Sequence, residues 1–132
     1  MQRALKWMIS AAAVGLAACG GSSSGTGSCT PIQLASIAIT SGGVSPKAVC
    51  VLPAGTVRFT NNDTLQHEIQ ADSGSGSGCS TLNLGPIAPS QFKDAVFPTL
   101  GTCAFHDSGN ATNAAFQGTV AVSNAPVSGP GY

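Results

Sequence analysis

Turn signals cut this chain into short pieces, and that punctuation limits the folds open to it. Between Pro31 and Val122, apolar and polar residues alternate over runs of a few positions, with Gly, Pro, Asn, Asp and Ser between the runs. No stretch sustains a helical repeat of apolar residues. Charged residues make up only 8% of the sequence while glycines number 17, so strong helix formers are scarce. The pattern predicts an all-β chain of short antiparallel strands, as a sandwich or small barrel, in a single domain.

The first strand is expected from Pro31 to Thr40, ending at the turn Ser41-Gly42-Gly43. A second covers Ala48 to Leu52 and stops at Pro53-Ala54-Gly55. The next is the most informative. Val57 and Phe59 share one face, Arg58 and Thr60 the other, and the run enters a polar corner at Asn61-Asn62-Asp63. Four residues past Asp63 comes His67, one of two histidines. Such a corner suits a metal ligand, and it equally suits a histidine hydrogen-bonded to Asn or Asp. Short strands follow at Glu68–Ala71 and Asp94–Phe97, separated by the low-complexity loop 72–78. Gly101–Asp107 and Phe116–Val122 are the last two strands, and no internal repeat is visible.

The N-terminal segment reads differently. Arg3 and Lys6 precede the short apolar run Met8–Leu16, and Leu16-Ala17-Ala18-Cys19 resembles a bacterial lipobox. Residues 1–18 are therefore expected to be a lipoprotein signal peptide, Cys19 a lipidation site and 19–28 a Gly/Ser tether. The folded domain is placed at 29–123 and a Pro/Gly tail at 124–132. The expected location is the bacterial cell envelope, on a membrane through the lipid anchor, facing the periplasm or the cell exterior. After Cys19, three basic residues (Lys47, Arg58, Lys93) meet five acidic ones, with no basic patch to bind nucleic acid. Export also places Cys29, Cys50, Cys79 and Cys103 in an oxidising compartment, where an even count reads first as disulfides. Four cysteines allow three connectivities.

The order of features from about residue 32 to 122 resembles the cupredoxins, the plastocyanin and azurin superfamily. The resemblance lies in Gly42-Gly43-Val44-Ser45-Pro46-Lys47, in Val51-Leu52-Pro53-Ala54-Gly55 running through to His67, in Phe97-Pro98, and in the closing Phe116-Gln117-Gly118-Thr119-Val120. It implies a cupredoxin-like Greek-key β-sandwich that binds one copper and passes electrons to a redox partner protein. Family copper sites use two histidines, a cysteine and a weak axial methionine. His67 fits the first histidine, and two registers compete for the rest. One takes Cys103 and His106 as ligands and shortens the penultimate strand to about two residues. The other keeps that strand whole, with Cys103, Phe105 and Asp107 facing inward and His106 outward. Asp107 then stands at the family's cysteine position and Asn110 near its second histidine. Phe116 falls on the axial position in both registers.

The full-length strand is the preferred register, and a disulfide, with Cys79 as partner, the preferred state of Cys103. The alternative function is a copper-free binding or structural module on the same sandwich. A harder set of His67, His106 and Asp107 would suit Zn²⁺ or Cu²⁺, but alternation sets His106 apart. No enzyme is expected. Ser108-Gly109-Asn110 forms no nucleophile elbow, and the 73–78 loop is not followed by the Lys-Ser/Thr of a phosphate loop.

Overall fold

In a computed structural model, residues 26–130 are described, and they fold into ten strands joined by short 3-10 turns. The strands are β1 (Thr26–Cys29), β2 (Ile32–Thr40), β3 (Gly43–Ser45), β4 (Ala48–Asn61), β5 (His67–Ala71), β6 (Gly85–Ile87), β7 (Phe92–Phe97), β8 (Gly101–Asp107), β9 (Gln117–Val122) and β10 (Val127–Pro130). The signal peptide, Cys19 and all but the last residues of the tether lie outside the described residues.

β4 connects the two layers. Its first part, Ala48–Val51, pairs in parallel with β9, and its second part lies between β2 (parallel) and β7 (antiparallel). The sequence predicts two strands broken at Pro53-Ala54-Gly55. The chain instead stays extended through that point, with Ala54 at φ 63° turning the strand from one layer into the other. One layer is thus β3-β2-β4-β7, and the other runs from the start of β4 through β9, β8 and β5 to β6. The all-β sandwich expected from the punctuation is the observed architecture, but the expected all-antiparallel pairing is corrected: β4, 14 residues long, runs parallel to both β2 and β9, so the sheet is mixed.

Alternation fills the space between the layers. Ile37, Ile39, Val57, Phe59 and Phe97 come from one side and Ile69, Phe105 and Val120 from the other, all essentially without solvent contact. Phe59 and Phe105 meet edge to face, with centroids 5.2 Å apart. β9 approaches this pair so closely that a Cβ on Gly118 would stand 2.6 Å from Phe105 Cζ. Only glycine fits there.

Four short strands, β1, β3, β6 and β10, lie outside the expected ones. The segment read as a tail contributes β10, which pairs antiparallel with β1 at the end of the expected tether. The Cys29–Cys50 disulfide ties this ribbon to β4, and Cys79–Cys103 ties the 3-10 turn Ser77–Leu82 to β8. The second bridge is the expected one. Each joins cysteines more than 20 residues apart, so each restricts the unfolded chain considerably.

Both bridges predict that the oxidised protein, unfolded in denaturant, exposes no thiol at these four positions to a thiol reagent. Replacing Cys79 and Cys103 together by serine should lower the unfolding free energy by about 3 kcal/mol, the loop-entropy value for a closure of this length. Denaturant titration measures it, and a loss well under 1 kcal/mol would show that the bridge constrains little.

Candidate functional site

The corner after β4 is built by Asn61. Its side chain is fully buried, donating from Nδ2 to the carbonyls of Leu65 (2.7 Å) and Ile87 (2.9 Å) and accepting at Oδ1 from the Asp63 amide (2.9 Å). A short amide with both donors and an acceptor is well suited to close a polar turn from within. The loop so fixed brings Asp63 back over the start of β5, where His67 begins the strand.

His67 occupies the centre of the site. It is 5% exposed, and its ring stacks on Phe116 with centroids 5.7 Å apart and planes 19° from parallel. Nδ1 faces Asp107 Oδ2 at 3.0 Å, and Nε2 faces Asp63 Oδ2 at 3.0 Å. The two ring nitrogens point to opposite edges, so one imidazole bridges two carboxylates that do not meet. Asp107, the last residue of β8 and 2% exposed, receives two further hydrogen bonds: the Glu68 amide donates to Oδ1 (2.9 Å) and Asn110 Nδ2 to Oδ2 (2.6 Å). Asp63 also accepts from the Thr64 amide.

Burial disfavours a charge on His67, but the hydrogen bonds to Asp63 and Asp107 outweigh it and raise the ring above its ordinary value of 6.5. For Asp107, burial pushes upward and is overcome by the Glu68 amide, Asn110 and His67, which hold the carboxyl below its usual range. Asp63 is also lowered, first by its hydrogen bond to His67 and then by the Thr64 amide. All three shifts favour one charge state, a doubly protonated imidazolium between two carboxylates. Every hydrogen bond in the set agrees with it.

Of the residues singled out in the sequence, His67, Asp107, Asn110 and Phe116 come together here. Cys103 and His106 do not, and the ligand set His67, Cys103, His106 has to be corrected on geometry. β8 runs unbroken to Asp107, so Cys103 lies four residues, or about 13 Å of strand, short of the corner, and its sulfur is bonded to Cys79. His106 faces the other side of the sheet, where Nδ1 meets Asp72 Oδ1 at 2.6 Å. The harder set of His67, His106 and Asp107 fails for the same reason. Among the described residues, no group of three or more His, Cys, Asp or Glu side chains is placed to hold one metal ion. The residues at the corner therefore do not fit the copper that the resemblance implies. They offer no thiolate and one imidazole, with both nitrogens engaged.

Asp63 as a partner of His67 is foreshadowed by its position four residues earlier in a polar corner. The Glu68 amide and the Asp72–His106 pair have no comparable signal. Both depend on the register of β5 against β8, which sets Ile69 opposite Asp107 and Gln70 opposite His106.

No protein-family model matches the chain, nor does any curated protein sequence. Solved structures do match. The chain is similar to a purple cupredoxin from Nitrosopumilus maritimus, with 26% identity over 67% of this chain and 99% of that one, at a TM-score of 0.58. It is similar to oxidised plastocyanin from Dryopteris crassirhizoma, with 20% identity over 67% of this chain and all of that one, TM-score 0.56. A Cu(I) amicyanin variant shares 15% identity over 73% of this chain and 98% of that one, TM-score 0.54. With its strands in this order and its corner histidine on β5, the chain contains a cupredoxin-like domain.

Proposed function

We propose that this domain is a cupredoxin-fold binding or structural module of the bacterial cell envelope, held to a membrane through Cys19 and without a type 1 copper site. One observation carries the reading. At the position facing His67 Nδ1, where the fold's copper proteins need a thiolate, the chain places the Asp107 carboxylate at 3.0 Å, while Cys103 is in a disulfide. A hydrogen-bonded imidazolium fills the corner in place of a metal. Reducing the disulfide would not restore a ligand, because Cys103 would still lie about 13 Å along the strand. The module carries no one-electron centre, so its partner is met through its surface and not through redox chemistry. No enzymatic step is assigned to it.

The competing reading, a copper electron carrier, is tested by adding Cu²⁺ to the purified protein and recording its visible spectrum. The expected result is no intense thiolate-to-copper band. A strong blue or purple band that disappears in Cys103→Ala would contradict the proposal.

Linkage fixes how the corner responds to pH. The folded-state value of His67 is raised, so its contribution is complete below about 6.5 and is lost as pH rises through the higher folded value. Asp63 and Asp107 are lowered, so theirs is complete above about 3.8 and is lost as pH falls through the lower folded values. Unfolding free energy should accordingly be greatest between these limits, and His67→Gln should flatten its alkaline side. An alkaline limb unchanged in His67→Gln would contradict this charge assignment. Asp107→Ala, which removes the buried acceptor of three hydrogen bonds, should cost about 3 kcal/mol in denaturant unfolding. A cost below about 1 kcal/mol would mean that Asp107 is incidental to the corner.

A further inference from the structure

The outer face of the β2–β4–β7 layer is aliphatic at the end where the chain enters the domain. Ile32 and Leu34 on β2 are 49% and 54% exposed, and they face outward because Ala35, Ile37 and Ile39 take the inward positions. Beside them lies a groove of about 250 Å³ along the Cys29–Cys50 bridge, between Ala35, Pro46 and Val49. The register carries the row onward, from Leu34 to Thr56 and from Thr56 to Val96, which is 49% exposed. No charge lies in that row. The next outward row on β4 and β7 holds Arg58 and Asp94, which neutralise each other through two hydrogen bonds of 2.8 Å. The outer face of the other layer differs, presenting Glu68, Gln70 and His106 with its Asp72 partner.

Isolated exposed aliphatics are ordinary. The chain upstream is what points to an occupant here. β1 ends at Cys29, on the groove itself, and Cys19 stands only ten residues before it. At about 3.3–3.6 Å per residue, the intervening chain reaches roughly 35 Å at most. An acylated Cys19 would keep the domain within that reach of a bilayer, and a tether makes even a weak contact by an apolar face well populated. The contact needs apolar side chains and not basic ones, since the anchor supplies the attachment.

We propose that Ile32, Leu34 and the adjoining groove form the membrane-facing surface of the anchored domain, seated at the acyl-chain boundary of the bilayer that holds Cys19. This rests on the lipid anchor proposed above. From Ile32, β2 runs seven residues to Ile39, which pairs with Asn61. The His67 corner is thus held about 23 Å farther along the strands, on the membrane-distal side. There it is open to partners in solution.

Tryptophan fluorescence tests the placement. The one tryptophan of the sequence, Trp7, lies in the segment expected to be cleaved, so a mature chain has none. Full-length Leu34→Trp and, as a control at the same end on the opposite face, Thr102→Trp would be made with their native acylation. Each would then be reconstituted into phosphatidylethanolamine–phosphatidylglycerol vesicles with and without brominated acyl chains. The Leu34→Trp reporter should lose most of its emission in brominated vesicles and the Thr102→Trp reporter should keep most of it. Equal quenching of both, or none in either while the lipidated chain floats with the vesicles, overturns the surface. A chain whose mass shows no lipid on Cys19 and which does not float overturns the anchor, and the surface with it.

Discussion

Three elements of this domain meet at one imidazole ring. The corner after β4 reaches His67 through Asp63, the end of β8 reaches it through Asp107, and the entry to β9 covers it with Phe116. Each contact alone would be modest, but together the two carboxylates raise the ring above its ordinary value and favour the doubly protonated form. A buried carboxylate such as Asp107 is tolerated only when its oxygens are supplied with donors, and here the Glu68 amide, Asn110 and His67 supply them. A doubly protonated ring is tolerated only between anions, and it has two. The site is a closed set of hydrogen bonds in which both ring nitrogens of His67 are engaged.

The scaffold explains how such a corner is positioned. β4 passes from one layer to the other and ends at Asn61, whose amide closes the turn from inside. The edge-to-face pair Phe59–Phe105 and the close approach of Gly118 set the spacing of β4, β8 and β9 below it. The two disulfides act elsewhere, holding the β1–β10 ribbon and the Ser77–Leu82 turn. The opposite ends of the sandwich thus serve different needs. One is a rigid polar corner, and the other is the point where the chain enters and leaves.

Much of this is legible in the sequence wherever the signal is local. The alternation of Val57 and Phe59, the polar corner at Asn61 and the parity of Cys103, Phe105 and Asp107 follow from the period of two along a strand. Parity also separates His106 from His67 once β8 has its full length, and strand length is what favours that register. What is not legible depends on distant partners. Gly, Ser and Pro mark residues 26–28 as tether and 127–130 as tail, and only the pairing of Thr26–Cys29 with Val127–Pro130 makes these segments strands. Pro53-Ala54-Gly55 reads as a break because its composition is that of a turn. The same residues, with Ala54 at a positive φ, bend one strand between layers. The Asp72–His106 contact follows from the β5–β8 register alone.

The central claim is that His67 carries a proton on each ring nitrogen, one hydrogen-bonded to Asp63 and the other to Asp107. Its most direct test is a long-range ¹H–¹⁵N correlation spectrum of the His67 ring at neutral pH. The account predicts an imidazolium, with both ring nitrogens protonated and one hydrogen shared with each of Asp63 and Asp107. A neutral ring with one unprotonated nitrogen at that pH would contradict it, and would leave the corner with a lone pair available to a metal.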